Sequence, residues 1–275
     1  MTELSGSTIE PRRSRARSVK KSVQRRVLPL LYAGDRVECP CCARRFRAFA
    51  PYAGRPNAWC PACQCLERHR LLWLYLSERT DLLTRELSVI HFAPERALQA
   101  RLRELPGLRY ASADLDPSSI AELRVDITDM PFPDSSFDVA IVNHVLEHVP
   151  DDRRALSELA RVLVPGGVLY TMHPVEHDRG RTYEDPAVRT PRQRRRAYGD
   201  RDDARVYGRD FADRVRAAGF DVTVERYLRE LPPELATLHG LVDDEIYVCA
   251  KPVATGRRFG RDDRSATRPA GAAGR

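Results

Sequence analysis

Residues 87–102, "LSVIHFAPERALQARL", carry the pattern that decides the fold. An apolar run from Val89 to Phe92 ends at Ala93-Pro94 and is followed by a predicted helix. A strand that passes through a tight turn into a helix is the first unit of a nucleotide-binding α/β domain. Such turns usually contain glycine, and this one has none. The stretch therefore predicts an α/β domain whose first turn is either a cofactor loop built from other residues or a structural crossover.

Strand and helix patterns alternate along the rest of the chain. The stretch "FDVAIVNHVL" is almost continuously apolar, which is typical of a parallel strand covered on both faces. "DDRRALSELARVL" places its apolar residues on one stripe of a helix, and "DVTVERY" and "EIYVCAK" predict two final strands that pair. We also expect Pro94 in the first turn of its helix and a short helical turn at "PSSIAEL". Repeated βα units predict a doubly wound, mostly parallel sheet with right-handed crossovers.

The composition is that of a soluble globular protein. The chain has 275 residues, of which 42% are apolar and 31% are charged, with a net charge of +7. No run approaches the roughly 20 apolar residues of a membrane span. The first 26 residues lack the apolar core of a secretory signal, so we expect a cytoplasmic protein.

Both ends of the chain are basic and poor in apolar residues. We expect residues 1–34 and 253–275 to be disordered, because such segments bury too little surface to offset chain entropy. Between them we expect a small module at 35–80 and an α/β domain at 86–252. A polar insertion at 173–206 could act as a lid or be merely solvated. The Arg-rich first tail could contact RNA or another anionic surface, or it could be a solvated tail.

Cysteines form the most specific motif of the N-terminal module. Two CxxC pairs, Cys39 with Cys42 and Cys60 with Cys63, are separated by a spacer of about 17 residues. Four thiolates with this spacing suit a tetrahedral Zn²⁺ site, and four protein ligands make the metal structural and not catalytic. The spacer has the pattern of a short hairpin and "LERHRLLWLYLSE" that of a helix. The sequence therefore predicts a module resembling a zinc ribbon.

Several alternatives remain open at this module. Disulfides are disfavoured in a cytosolic chain, and a redox CxxC would occur singly beside a βαβ pattern. Cys41 or Cys65 could replace one of the four ligands. We expect His69 to be exposed or stacked on the following helix, and Cys249 to lie in the core. The module's arginines could bind nucleic acid, or the module could hold a substrate or cover the pocket of the main domain.

A longer stretch, "VDITDMPFPDSSFDVAIVNHVLEHVPDDRRALSELARVLVPGGVLYTM" at Val125 to Met172, resembles the class I S-adenosylmethionine-dependent methyltransferases. Within them it is similar to the type 11 methyltransferase domain. The matching features are an acidic residue before "MPFPDSSFD", the segment "HVLEHV", and "ELARVLVPGG". The likeness covers roughly residues 87–252 and implies a Rossmann-like sheet of seven strands whose last strand is antiparallel.

The resemblance implies roles for individual residues. The acidic residue that ends the second strand and holds the ribose hydroxyls matches Asp114, with Asp116 as the fallback. The acidic residue near the adenine amino group matches Asp126, with Ile127 beside the ring. Asn143 ends the fourth strand, where methyl donor and acceptor meet. Open α/β sheets bind ligands at the carboxyl ends of their strands, although either aspartate could instead start a turn.

The same resemblance assigns family positions to the residues of the glycine-free loop. The family has an acidic residue followed by glycines at alternate positions, and here His91, Ala93 and Glu95 occupy those positions. Ala93 keeps the side chain small, and Pro94 fixes φ near −65°. Glu95 could face the ammonium group of the cofactor, or it could be a first-turn helix residue favoured by the helix dipole.

The function implied is methyl transfer from S-adenosylmethionine to an acceptor that is either RNA or a small polar molecule. His144, His148 and His173 are candidates for a general base, or ordinary structural histidines. An alternative is a methyltransferase fold that has lost catalysis and binds RNA or a protein partner. A nicotinamide dehydrogenase is disfavoured, because no G-x-G-x-x-G motif follows the first strand of the α/β domain.

Overall fold

A computed structural model describes residues 26–253. Its eleven named strands are β1 (Ala33–Cys39), β2 (Arg44–Phe46), β3 (Ala50–Tyr52), β4 (Arg55–Trp59), β5 (Leu87–Phe92), β6 (Leu108–Asp114), β7 (Leu123–Arg124), β8 (Phe137–Asn143), β9 (Leu163–Met172), β10 (Asp221–Glu225) and β11 (Ile246–Ala250). Its named α-helices are α1 (Glu67–Arg79), α2 (Arg96–Arg103), α3 (Asp152–Val162), α4 (Pro191–Tyr198), α5 (Phe211–Ala217) and α6 (Pro233–Leu238).

The centre of the molecule is a seven-stranded sheet in the order β10-β11-β9-β8-β5-β6-β7. The pairs formed by β5, β6, β7, β8 and β9 are parallel, whereas β11 is antiparallel to both β9 and β10. The predicted doubly wound, mostly parallel sheet is confirmed, as is the pairing of the last two strands. Because the chain leaves β5 first towards β6 and later returns to β8 on its other side, the switch point lies between β5 and β8.

Helices cover both faces of this sheet, since its strands are apolar on both sides. Val89 of β5 belongs to a buried cluster with residues of α1 and α2, and its neighbour Ile90 belongs to a second cluster with residues of α3 and α5. Successive strand residues point to opposite faces, so one apolar run supplies both cores. The helix α1, which follows the cysteine motif, is therefore a layer of the α/β domain.

The N-terminal module consists of two small antiparallel sheets, β1 with β2 and β3 with β4. The hairpin expected in the cysteine spacer is thus present as three short strands, and the expected helix is α1. Part of the segment 1–34, which was predicted to be disordered, is structured. Residues 26–31 are helical, and β1 starts at Ala33. The rest of the first tail, and the second tail from residue 254 onward, lie outside the described residues.

Arg70 of α1 joins the module to the α/β domain. Its side chain is fully buried, and its guanidinium donates to the carbonyl oxygens of Ala58, His239 and Gly240 at 2.7–3.0 Å. The same guanidinium lies 3.9 Å from the ring centroid of Phe49. Gly240 has a φ of +54°, and a Cβ there would lie 2.7 Å from the Phe49 ring, so only glycine fits this approach.

Two local predictions around the first turn are wrong. Pro94 does not lie in the first turn of α2, because the N-cap is Glu95 and the helix begins at Arg96. The segment "PSSIAEL" forms turns and bends and no helix. Pro94 lies one residue before the N-cap of a helix that does form, whereas "PSSIAEL" is short and lacks the periodic apolar stripe that fixes longer helices.

The polar insertion at 173–206 packs against the loop that follows β8. The buried guanidinium of Arg205 donates to the carbonyl oxygens of Leu146, Val149 and Pro150 at 2.6–2.8 Å. The insertion contains α4 and a bridge between Tyr183 and Val206. Its action as a lid stays a prediction.

Within residues 26–253, no helix combines the length and apolar character that a membrane span requires.

We expect Arg70→Leu to lower the free energy of unfolding by at least about 2 kcal/mol, because three buried carbonyl groups lose their donor. Urea unfolding measures this change. The exposed Arg153→Leu is the control and should stay within about 0.5 kcal/mol of the wild type. Equal losses in the two variants would contradict a joining role for Arg70.

Candidate functional site

A cavity of about 460 Å³ opens at the carboxyl ends of β5, β6, β7 and β8. Four residues predicted from the sequence line it, namely Ala93, Asp114, Asp126 and Ile127. The remaining lining residues were not singled out as cofactor ligands: Phe92, Leu115, Val125, Thr128, His144, Val145, His148, Val149, Pro150 and Asp151. Most of these are apolar residues just beyond strand ends, which sequence alone does not separate from the core.

Both predicted aspartates start turns, as the alternative interpretation allows, and both also line the cavity. Asp114 Oδ1 accepts a hydrogen bond from the backbone N–H of Asp116 at 3.0 Å, and no other hydrogen bond to this carboxylate occurs within residues 26–253. Asp126 Oδ1 accepts from the backbone N–H of Thr128 at 2.8 Å. Each carboxylate therefore orders its own loop through Oδ1, and its Oδ2 accepts no hydrogen bond within residues 26–253. Asp116 does not line the cavity and instead accepts from the N–H of Ser118, which lowers the pKa of its carboxyl group.

The glycine-free turn adopts a glycine-like backbone. Ala93 has a φ of +45°, in the left-handed region, and its N–H donates to the carbonyl oxygen of Ala113 at 2.8 Å. An L-residue in this region carries a cost of about 1–2 kcal/mol. The turn is therefore held by the neighbouring strand in the shape that glycine adopts freely, and Ala93 presents only a methyl group to the cavity.

His91 and Glu95 lie behind this turn and do not line the cavity. His91 is fully buried, with Nδ1 3.0 Å from the hydroxyl oxygen of Tyr110 and Nε2 2.9 Å from Glu95 Oε2. Burial raises the pKa of Glu95, but the nearby His69 and the hydrogen bond from His91 outweigh it and lower the pKa to about 2. Glu95 occupies the N-cap of α2 without making a side-chain cap. Its carboxylate is thus bound by histidines, which neither sequence interpretation anticipated.

His69 was expected to be exposed or stacked on its helix, and it is buried, with 8% of its surface exposed. Its Nε2 lies 3.5 Å from Glu95 Oε1, and its Nδ1 accepts from the backbone N–H of Leu66 at 3.2 Å. Its burial follows from the packing of α1 on the sheet, a non-local contact that the local sequence does not signal.

Asn143 ends β8 beside the switch point, as predicted. It is 5% exposed, and neither its amide nitrogen nor its amide oxygen has a hydrogen-bond partner within the described residues. Buried polar atoms of this kind require an explanation, because they are normally satisfied. A ligand bound at the end of β8 would supply it.

His144 follows Asn143 and lines the cavity with a φ of +51°. Its Nδ1 lies 3.1 Å from Glu147 Oε1, and its Nε2 has no partner within the described residues. Burial raises the pKa of Glu147, but the nearby imidazoles of His144 and His173 outweigh this and hold it well below its usual range. A histidine oriented by a carboxylate, with its second nitrogen free, has the arrangement of a general base.

The two other histidine candidates have different surroundings. His173 is 2% exposed among Tyr207, Phe211 and Tyr247, and burial lowers the pKa of its imidazole. His148 lines the cavity, and its Nδ1 lies 2.9 Å from Asp203 Oδ1. His173 therefore has the packing of a structural residue.

The four predicted cysteine ligands lie in two similar turns. In one, the carbonyl oxygen of Cys39 accepts from the N–H of Ala43 at 2.7 Å, and in the other that of Cys60 accepts from Gln64 at 3.0 Å. Ala43 and Gln64 both have positive φ, at +54° and +67°. Each CxxC pair thus forms the same knuckle, which presents both of its thiols towards the other pair.

Cys42 and Cys65 are alternatives for the fourth ligand of the predicted zinc site. The sulfur atoms of Cys39, Cys60, Cys63 and Cys65 all lie within 4.8 Å of one another, and Cys42 Sγ lies 3.8 Å from Cys60 Sγ. Sulfur atoms around one Zn²⁺ are about 3.8 Å apart when Zn–S is about 2.3 Å. Cys41 is set apart, because burial raises the pKa of its thiol, which donates to the carbonyl oxygen of His69 at 3.6 Å.

Cys249 is fully buried in β11, as expected.

Part of the chain is similar in sequence to known proteins. Residues 96–171 match the methyltransferase domain family. A demethylmenaquinone methyltransferase of Corynebacterium glutamicum is 33% identical over 114 residues, which are 40% of this chain and 47% of that protein. An uncharacterized methyltransferase of Mycobacterium sp. (strain JLS) is 30% identical over 111 residues, covering 34% of this chain and 44% of that protein.

The chain spans about half the length of these curated relatives. A solved S-adenosylmethionine-dependent methyltransferase from Mesorhizobium loti aligns with a TM-score of 0.45 and 18% identity, covering 65% of this chain and 96% of that one. Within this chain, the match to the methyltransferase domain family runs from α2 to β9 of the central sheet.

Proposed function

We propose that the chain transfers a methyl group from S-adenosylmethionine to an acceptor. The observation that carries the proposal is one cavity at the switch point, lined by Ala93 and by the carboxylates of Asp114 and Asp126. Two carboxylates at successive strand ends suit the ribose hydroxyls and the adenine amino group, because both are hydrogen-bond donors. The buried amide of Asn143, which has no hydrogen-bond partner within residues 26–253, directly precedes His144 of the cavity lining.

When bound, S-adenosylmethionine supplies a methyl group that is already activated by its sulfonium. The task of the chain is then to bind, orient and exclude water, and alignment alone can contribute about 7–11 kcal/mol. The apolar lining from Phe92, Val125 and Ile127 excludes water from the ring site. His144, oriented by Glu147, is placed to accept a proton if the acceptor must lose one.

The methyl acceptor is either RNA or a small polar molecule. The arginine-rich module favours RNA, whereas the polar insertion suits a small polar molecule. Two polar groups in or next to the insertion are already engaged, since Glu184 pairs with Arg205 and Arg214 and the hydroxyl of Tyr207, just after the insertion, donates to Asp152 at 2.8 Å. We leave both classes as candidates for the acceptor.

We further propose that Cys39, Cys42, Cys60 and Cys63 hold one structural Zn²⁺. The matching geometry of the two knuckles supports this set, because it makes Cys42 the counterpart of Cys63. Coupled metal binding supplies about 10–16 kcal/mol in small zinc modules, and these short strands have few other sources of stability. Zinc would then stabilise the start of α1 and, through it, one face of the sheet.

We expect S-adenosylhomocysteine to bind the wild-type protein in isothermal titration calorimetry and to bind Asp114→Ala at least tenfold more weakly. The lost hydrogen bonds to a charged acceptor are worth about 1.5–3 kcal/mol. Asp116→Ala is the matched control and should bind as the wild type does. The absence of binding to the wild-type protein at high micromolar ligand would contradict the proposed function and favour a binding module without catalysis.

We expect the purified protein to carry one zinc, and Cys42→Ser and Cys60→Ser to lose it, as measured by elemental analysis. Cys65→Ser should retain the metal, because Cys65 lies after the second knuckle. Loss of zinc from Cys65→Ser with retention in Cys42→Ser would make Cys65 the fourth ligand. Retention in Cys60→Ser would place the site elsewhere.

A further inference from the structure

A second cavity, which we call the insertion cavity, lies between the polar insertion and the loop that follows β8. Its volume is about 350 Å³, and residues of the insertion line it together with Pro150. Pro150 also lines the cavity at the switch point, so the two cavities are neighbours at this residue. The proposed function gives the insertion cavity no role, although it adjoins the candidate donor site.

Hydrogen bonds hold the insertion against the loop that lines the switch-point cavity. Ala204, which lines the insertion cavity, donates its N–H to the carbonyl oxygen of Glu147 at 2.7 Å. Next to it, Asp203 Oδ1 lies 2.9 Å from Nδ1 of His148, which lines the switch-point cavity. These contacts fix the two cavities side by side, so a molecule bound in one can extend towards the other.

Arginine supplies most of the charge around the insertion cavity. Its charged lining residues are Arg189, Arg194, Arg205, Glu184 and Asp185. Both carboxylates are already engaged, since Glu184 pairs with Arg205 at 3.0 Å and Asp185 Oδ1 accepts from a backbone N–H at 2.8 Å. The pairing of Glu184 also neutralises Arg205, so the charge that remains for a ligand is that of the two other arginines.

Arg189 and Arg194 keep most of their hydrogen-bond donors free. Arg189 Nε donates to the carbonyl oxygen of Pro186 at 3.2 Å, and Arg194 Nη1 donates to that of Asp202 at 3.4 Å. The Nε–H of Arg194 is buried without a partner, and neither arginine forms an ion pair within residues 26–253. Such guanidinium groups favour an anion, because charge-assisted hydrogen bonds are roughly twice as strong as neutral ones.

The helix α4 presents Arg194 to the cavity and its other arginines to solvent. Tyr198 is buried, and its hydroxyl accepts from the backbone N–H of Asp185 at 3.0 Å, which fixes the inner face of the helix. Residues four apart share a helix face, so Arg194 lies on this inner face and is half-buried. The outer face carries three exposed arginines, which are Arg192, Arg195 and Arg196.

We propose that the insertion cavity binds a phosphate group of the methyl acceptor through Arg189 and Arg194. This inference rests on the proposed function and names the chemistry of its acceptor. The guanidinium fork matches the spacing of phosphate oxygens. A carboxylate has oxygens for one such fork, whereas a phosphate has oxygens for both arginines. Both candidate acceptors can carry the group, since it occurs in the RNA backbone and on small phosphorylated molecules.

The first experiment compares glycerol 3-phosphate with glycerol, which differ by the phosphate alone. With the cofactor site filled by S-adenosylhomocysteine, we expect the wild-type protein to bind only glycerol 3-phosphate in isothermal titration calorimetry. Arg194→Ala and Arg189→Ala should each bind it about tenfold more weakly, because they lose charge-assisted hydrogen bonds to the phosphate. Arg195→Ala is the matched control: it removes the same charge from the exposed face of α4 and should bind within about twofold of the wild type.

A labelled single-stranded RNA oligonucleotide identifies the source of the phosphate by fluorescence anisotropy. RNA that enters the cavity would also cross the outer face of α4. Its binding should then weaken in Arg194→Ala and in the combined variant Arg192→Ala, Arg195→Ala and Arg196→Ala, with a smaller salt dependence in both. A small acceptor is indicated if glycerol 3-phosphate binds in the cavity and RNA does not bind.

Several outcomes would overturn the inference and leave the proposed function intact. One is equal weakening of glycerol 3-phosphate in Arg194→Ala and Arg195→Ala, which would show attraction by overall charge. A second is RNA binding that depends on the outer arginines and not on Arg194. The third is failure of the wild-type protein to bind either probe while it binds S-adenosylhomocysteine.

Binding of S-adenosylhomocysteine separates these results from a failure of the proposed function. Arg194→Ala should bind this ligand as the wild type does, because its side chain makes one long hydrogen bond and lies outside the switch-point cavity lining. This binding also shows that the variant is folded. Failure of the wild-type protein to bind S-adenosylhomocysteine would overturn the proposed function itself.

Discussion

The packing of the cysteine module on the α/β domain depends on the contacts of the buried guanidinium of Arg70. It binds carbonyl oxygens from the module and from the segment before β11, and no carboxylate within the described residues pairs with it. A buried guanidinium requires all of its carbonyl partners, because each lost hydrogen bond leaves part of the free energy of removing the charge from water uncompensated. This requirement fixes α1 in both position and rotation. His69, one residue earlier, is thereby held over the turn after β5.

The turn itself shows how a fold can keep a shape without the residue that usually provides it. Ala93 adopts a left-handed backbone that glycine adopts at little cost, and its N–H is bonded to β6. The strand ladder and the bound carboxylate of Glu95 therefore hold the turn from both sides. A turn fixed by its surroundings presents a small methyl group to the cavity and keeps space for a ligand.

The polar residues at the ends of β8 and β9 form a second layer beneath the cavity. Glu147 lies between His144 and His173, and its carboxylate stays ionised because both rings face it. His144 combines this carboxylate with a free nitrogen and a left-handed backbone. Strained residues of this kind cluster at functional sites, where the surrounding structure holds them in place. The arrangement suits an acceptor that gives up a proton.

The sequence by itself determined the alternation of strands and helices, the two CxxC knuckles and the aspartates at the ends of β6 and β7. These features are local, because strand periodicity, a tight thiol turn and an acidic residue after an apolar run each occupy a few consecutive residues. Only the tertiary structure decided that His69 is buried, that Glu95 is bound by histidines and that the amide of Asn143 finds no partner among residues 26–253. The contact between His69 and Glu95 joins segments far apart in sequence and is set by the packing of α1 on the sheet, and Asn143 lies in a ladder with β9, so neither environment follows from neighbouring residues.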